Sequence, residues 1–238
     1  MPQITEAELA AAIDHAILAP QLTRADVDAQ LDIAREWGVF SVCVRPSDIA
    51  YAVARLEGYS VAVGTVIGFP HGTTSTAAKV AEARQAIADG ATELDMVVNV
   101  GWLRSGLDDA VVDDIRAVTD ATGPLITKVI LETAYLDDEQ IARGSRLTEA
   151  GGADFVKTST GFAGGGATVE HVRLMRASVG DGVQVKASGG VRSLATALEM
   201  IDAGATRLGT SGSATILGEL RTVLAGGDAS GAVDTSSY

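Results

Sequence analysis

Short apolar, β-branched runs alternate along this chain with longer, alanine-rich stretches of helical period. The runs at 13–17, 39–44, 61–67, 93–99, 125–131, 154–158, 183–187 and 207–210 predict strands, the first having the weakest pattern. Stretches 24–37, 76–88, 107–119, 138–150, 169–179 and 194–203 predict helices, and one more should follow the last strand. Asp26, Asp138 and Ser193 stand where helices should begin. From the second strand on, the unit recurs every ~20 to 30 residues, the length of a strand plus a crossover helix. One phrase recurs where a helix hands over to a strand: Ala88-Asp89-Gly90-Ala91, Ala150-Gly151-Gly152-Ala153 and Asp202-Ala203-Gly204-Ala205. Its glycine suits a left-handed helix cap. Repeated β-α units imply parallel strands with helices outside. The reading is therefore an α/β chain, a (β/α)8 TIM barrel with a short N-terminal helix. An open, doubly wound sheet is the rival, but no Gly-x-Gly-x-x-Gly opens the first helix, which weakens its dinucleotide-binding version. One domain should span 1–224. Residues 225–238, rich in Gly, Ala, Ser and Asp and without period, are expected to form a flexible tail.

The lysines break this pattern. Of four in the chain, Lys128, Lys157 and Lys186 lie inside apolar strand runs, and only Lys79 falls in a helical, surface-type context. Lysine is rarely buried unless something pairs with it. It also loses its proton readily on burial or beside another cation, becoming a nucleophilic amine. One such lysine would read as a core group neutralised by a carboxylate; three favour amine chemistry.

Parity sharpens this. Strand residues alternate inward and outward, and the outward face must be apolar to pack on helices. Val156, Val183, Val185, Val129 and Leu131 then point out, and Lys157, Lys186 and Lys128 point in. Asp95 should also point in, because an outward aspartate would be a buried, unpaired charge. Adjacent strands lie ~4.8 Å apart. Lys157 and Lys186 should therefore meet, repel, and hold their second proton weakly. The turns beyond these strands are glycine-rich: Gly161 to Gly166, then Ser188-Gly189-Gly190, then Gly209-Thr210-Ser211 before the last helix. Glycine lets backbone amides approach an anion, and the loops after the seventh and eighth strands are a common phosphate cradle in such barrels.

Composition narrows the partners. At 238 residues the chain suits one barrel. Its core should be aliphatic, since 47% of residues are hydrophobic and only 4% aromatic. A net charge of −13 disfavours nucleic acid and anionic membrane surfaces, which need a basic face. Cys43 is the only cysteine, so no internal disulfide can form. The first 19 residues hold no lysine or arginine, unlike a signal peptide, and no apolar run reaches the ~18 residues of a membrane span. A soluble, cytoplasmic protein is expected. His15, His71 and His171 show no metal-ligand spacing, so no metal is expected.

At its motifs the chain resembles the deoxyribose-phosphate aldolases, class I Schiff-base enzymes of the (β/α)8 type. The resemblance runs nearly end to end: Ile13-Asp14-His15, Val42-Cys43-Val44, Gly68-Phe69-Pro70-His71-Gly72, Glu93-Leu94-Asp95-Met96-Val97, Lys128 to Thr133, Gly152 to Gly161, Lys186 to Arg192 and Arg207 to Ser211. It implies Lys157 as the Schiff-base lysine, Lys186 as its companion and Asp95 as the proton-relay carboxylate. It implies Cys43, Asp14 and Lys128 around the substrate, and Thr158, Gly161, Ser188, Gly189, Gly190, Gly209 and Ser211 near its phosphate. A C-terminal tyrosine assists proton transfer in some members, and Tyr238 is the only aromatic after Phe162. Three positions depart from the pattern: Ala16 in place of threonine, Phe162 in place of a lysine, and Gly212 in place of a second serine.

The expected reaction is reversible cleavage of 2-deoxy-D-ribose 5-phosphate to acetaldehyde and D-glyceraldehyde 3-phosphate, with no cofactor. The partner is a small phosphorylated sugar, and a homodimer stays open. A phosphate-binding barrel isomerase, another Schiff-base lyase on a different sugar, or an inert sugar-phosphate sensor are the alternatives.

Overall fold

The computed structural model of the chain describes residues 4–235. Eight parallel strands close into one barrel in chain order: β1 Ile13–Ile17, β2 Ser41–Val44, β3 Ala62–Ile67, β4 Glu93–Val97, β5 Ile126–Ile130, β6 Phe155–Lys157, β7 Gln184–Ser188 and β8 Arg207–Thr210. This is the (β/α)8 TIM barrel, and closure of β1 onto β8 excludes the open sheet. The helices are α1 Glu6–Ala10, α2 Arg24–Trp37, α3 Ile49–Arg55, α4 Thr76–Ala88, α5 Val100–Arg104, α6 Asp108–Thr122, α7 Asp138–Ala150, α8 Val169–Ser178, α9 Leu194–Asp202 and α10 Ser213–Leu224. Residues 225–235 have no regular structure. Among the described residues no helix is long and apolar enough to cross a membrane.

The weak first strand forms because both faces have partners. Ile13 and Ile17 join the apolar shell under the helices, and Asp14 turns into the barrel. That shell is the core: Val42, Leu94, Met96, Val129, Val156, Val185 and Leu208 point outward against the helices. Each such side chain contributes roughly 1.5–3 kcal/mol by leaving water.

Helix starts were placed to within a turn. Ser193 caps α9 as expected. α2 spans the expected 24–37, but its start is a Thr23 capping box in which Asp26 takes the Thr23 backbone N–H instead of opening the helix. Asp138 is the first residue of α7, and Asp137 is its cap. The repeated hand-over glycines adopt the left-handed backbone foreseen for them, with φ of 101° at Gly90, 83° at Gly152 and 110° at Gly204. The short helices α3 and α5 lack enough turns to show a period.

One sequence expectation is wrong. Lys79 is not a surface lysine: it is fully buried. Its Nζ donates to Asp114 Oδ2 at 2.6 Å and to the Val97 carbonyl at 2.9 Å, tying α4 to α6 and to the end of β4. A helical lysine on a surface-like stretch gives no warning of this, because its partner lies 35 residues away.

Candidate active site

Seven charged side chains from six strands converge inside the barrel. β1 supplies Asp14, β4 Glu93 and Asp95, β5 Lys128, β6 Lys157, β7 Lys186 and β8 Arg207. All are buried, the three lysines between 1% and 3% exposed. Register places them. Asp95 pairs with Lys128 across β4–β5, Lys157 with Lys186 across β6–β7, and Lys186 with Arg207 across β7–β8.

Asp95 is the hub. Its Oδ1 accepts from Lys128 at 2.8 Å, and its Oδ2 accepts from both Lys157 and Lys186, each at 2.8 Å. Lys186 also donates to Asp14 Oδ2 at 2.5 Å, and Lys128 to Glu93 Oε2 at 2.6 Å. Arg207 bridges Asp14 and Glu93, the latter at 3.0 Å, and Ser41 donates to Asp14 at 2.7 Å. Every ammonium is thus matched by a carboxylate, as burial of charge demands.

The lysines nevertheless differ. Burial pushes the pKa of Lys157 down; Asp95 opposes this, and the neighbouring Lys186 adds to the fall. Burial also disfavours charge on Lys186, but Asp14 and Asp95 outweigh it and hold that pKa far above the usual value. Lys128 is likewise held charged, with Asp95 the largest force against burial. Burial would protonate Asp95, but Lys128, Lys157 and Lys186 keep its pKa well below the ordinary range. The cluster sets four cations against three carboxylates. Loss of one proton balances it, and Lys157, with one carboxylate partner, is the cheapest donor of that proton.

Cys43, on β2, lies in an apolar patch with Leu18, Val66 and Phe69. Burial, then Asp95, pushes its thiol up to about 11, so it stays protonated and unreactive at neutral pH. It offers a small apolar wall.

The loops after β6, β7 and β8 adjoin one another. Gly161, Gly189 and Gly190 take φ of 87°, 83° and 78°, conformations that exact a cost from any side chain. Gly190 has open space where a Cβ would stand. Gly209 is different: a Cβ there would lie 2.8 Å from Ser188 Cβ and 3.2 Å from Lys186 Cε. That glycine makes room for the lysine stem. The Thr158 hydroxyl donates to the Ser188 carbonyl and accepts the Ser188 N–H, tying the ends of β6 and β7 together. Ser188 Oγ donates to the Ser159 carbonyl at 2.6 Å. Ser211 closes β8 beside the start of α10. Tyr238 lies outside the described residues.

Three participants escaped sequence reasoning. Glu93 shares the parity of Asp95, and Arg207 is the register partner of Lys186, so both carried a signal that went unused. Glu132 carried none. It is the one non-glycine residue with positive φ among those described, at 58°. Its Oε2 accepts from the Thr160 N–H at 3.2 Å and from the Thr160 hydroxyl, which accepts the Phe162 N–H at 3.0 Å. Phe162 in turn packs edge-on to Phe69, with ring centroids 5.3 Å apart. Glu132 therefore holds the loop that follows Lys157, in a backbone conformation that costs ~1–3 kcal/mol.

Comparison with known proteins places the fold and the family. The model of the DeoC/LacD aldolase family matches residues 9–219. The chain is 52% identical over 205 residues to the deoxyribose-phosphate aldolase of Staphylococcus haemolyticus, covering 86% of this chain and 93% of that one. Among solved structures, an aldolase called QR15 superposes with a TM-score of 0.87 at 41% identity, covering 92% of this chain and 98% of the other. A deoxyribose phosphate aldolase from Aeropyrum pernix, described as a tetramer, superposes with a TM-score of 0.82 at 30% identity, covering 92% and 93%.

Proposed function

The chain belongs to the DeoC/LacD family of aldolases, and from that premise we propose that it cleaves 2-deoxy-D-ribose 5-phosphate reversibly through a Schiff base on Lys157. The observation that carries this is the asymmetry among the buried lysines. Lys157 alone has its pKa lowered while Lys186 and Lys128 are held charged. A neutral amine beside a fixed ammonium and a fixed carboxylate is what imine formation requires.

In this reading the Lys157 amine attacks the substrate carbonyl, gives a carbinolamine and loses water to an iminium. The iminium draws in the electron pair of the bond between the second and third carbons as that bond cleaves, and the proton of the third carbon's hydroxyl passes to the water held by Asp95. D-glyceraldehyde 3-phosphate leaves, and the enamine of acetaldehyde remains. Asp95 stays ionised under its three lysines and orients the water that returns a proton to the enamine carbon. Lys186 keeps Lys157 neutral and completes the relay. Hydrolysis then frees acetaldehyde and Lys157. The phosphate rests on backbone amides of Gly189, Gly190, Gly209 and Ser211, with Gly161 and Ser188, whose own N–H is taken by Thr158, beside them. Cys43 bounds the substrate, while Asp14 and Lys128 fix the charges around it. Tyr238 is proposed to assist proton exchange, and deletion of that residue alone should slow deuterium exchange into acetaldehyde.

A cytoplasmic setting and a role in deoxynucleoside breakdown accompany this reading, supported by the free, buried Cys43 and by the substrate class. The test is incubation with 2-deoxyribose 5-phosphate. The two aldehydes should appear in equal amounts, and borohydride should inactivate the enzyme only when substrate is present. An isomerase or a sensor would show neither.

A further inference from the structure

Residues 225–235 do not simply leave the barrel. They cross the α9–α10 pair, where Ala229, Gly231 and Val233 line an apolar cavity of about 400 Å³ together with Leu194, Leu198 and Val223. Glu219, a buried carboxylate on α10, accepts the Gly231 N–H at 2.7 Å and fastens the segment there. Three residues on, the Asp234 N–H donates to the Arg192 carbonyl at 2.9 Å. The Asp234 Oδ2 accepts from the Ser211 hydroxyl at 3.3 Å. Arg192 follows the glycine pair of the loop after β7, and Ser211 ends the loop after β8.

The fit depends on Gly212. A Cβ at that position would stand 2.7 Å from Asp234 Cβ and 3.2 Å from its Oδ2. A side chain at 212 would force Asp234 to shift from this position. The glycine at 212 and the aspartate at 234 are therefore one feature: the space a side chain would fill at the start of α10 is filled by a carboxylate from the chain's own end.

We infer that Asp234 is a specificity-determining residue that stands as an internal anion at the rim of the phosphate cradle and narrows the enzyme's preference for phosphorylated over unphosphorylated substrate. The inference rests on the phosphate reading of these loops given above. A phosphate arriving at Ser211 meets a hydroxyl already donating to a carboxylate, and meets that carboxylate's charge. It must displace the side chain or bind against it. An unphosphorylated sugar meets neither demand. The two substrates are thus drawn closer in apparent affinity than the cradle alone would set them.

The experiment compares wild type with Asp234→Asn, which keeps the side chain's shape and removes its charge. KM is measured for 2-deoxyribose 5-phosphate and for plain 2-deoxyribose, and inorganic phosphate is titrated as a competitive inhibitor. Asp234→Asn should lower KM for the phosphorylated sugar and the inhibition constant of phosphate on the order of tenfold, the scale of repulsion across a few ångströms of partly solvated space. KM for 2-deoxyribose should not move. Equal changes for both sugars would make Asp234 a structural tether and overturn the inference. A phosphate inhibition constant unmoved in Asp234→Asn but raised in Gly190→Val would overturn it while leaving the cradle in place. An inhibition constant that neither variant moves would overturn the cradle reading, and this one with it.

Discussion

Lys157 and Lys186 face each other in register across β6 and β7, and both donate at 2.8 Å to a single oxygen, Oδ2 of Asp95. One carboxylate oxygen cannot fully compensate two ammonium groups. Lys186 has a second carboxylate, Asp14 at 2.5 Å, and Lys157 does not. A proton is therefore cheapest to remove from Lys157, where the partners are fewer.

Lys186→Met removes the like charge beside Lys157. It also leaves Asp95 to Lys157 and Lys128 alone, and both changes raise the Lys157 pKa. The acid limb of the activity–pH profile should move alkaline. Each unit by which the Lys157 pKa exceeds the working pH leaves about tenfold less neutral amine. Activity at pH 7 should therefore fall at least ~10-fold and recover in part at high pH. A profile that keeps its shape would remove Lys186 from the account. Circular dichroism should show the barrel intact.

Gly190→Val forces a β-branched residue to φ of 78°. Among the described residues no neighbour lies within 4 Å of its Cβ, so the cost is backbone strain and a side chain standing in the cradle. KM for the phosphorylated sugar should rise at least ~10-fold more than KM for plain deoxyribose. An equal rise would mark the turn as structural only.

Lys79→Met should cost about 3–5 kcal/mol of stability, because Asp114 would remain buried without its cation. The measurement is the urea midpoint. Turnover per folded molecule, assayed well below the transition, should stay near wild type, since Lys79 ties α4 to α6 and lies outside the charged cluster. A midpoint that does not fall would mean that Asp114 protonates or finds water.

The acid side has its own signature. Burial lowers the pKa of His15 to about 4, with its ring held between Gln30 and Ser213. The unfolded chain, with histidine near ~6.5, binds that proton more readily between these values. Stability should therefore be full above ~6.5 and fall as pH drops towards 4, by on the order of 3 kcal/mol. Glu132, whose pKa burial raises, works with the opposite sign and blunts the fall. Asp14 and Asp95, whose folded pKa values are depressed, withdraw their stabilisation only below ~4. In His15→Gln the slope between pH 6.5 and 4 should flatten, as read from urea midpoints. A variant that keeps the full slope would assign it elsewhere.

Much of the barrel was legible because burial on both faces of each strand writes a simple code. Lys128, Lys157 and Lys186 stood out as lysines inside apolar strand runs, and parity turned them inward together with Asp95. The same code held for Glu93 and Arg207, but at strand starts they resembled surface charges. Lys79 and Glu132 were illegible for a different reason. Their partners, Asp114 and Thr160, lie 35 and 28 residues away, and only the closed fold brings them together. Asp234 against Gly212 is of that kind as well: a composition without period gave no sign of where residues 225–235 would rest.

The most direct measurement of the central claim is the position of the trapped carbon. Enzyme incubated with acetaldehyde and borohydride, then digested and mapped by mass spectrometry, should carry a single added ethyl group on the peptide containing Lys157, with Lys128 and Lys186 unmodified. The ethyl mass on Lys186 or Lys128, or no mass at all, would contradict the assignment of Lys157 as the amine made neutral by its place in the cluster.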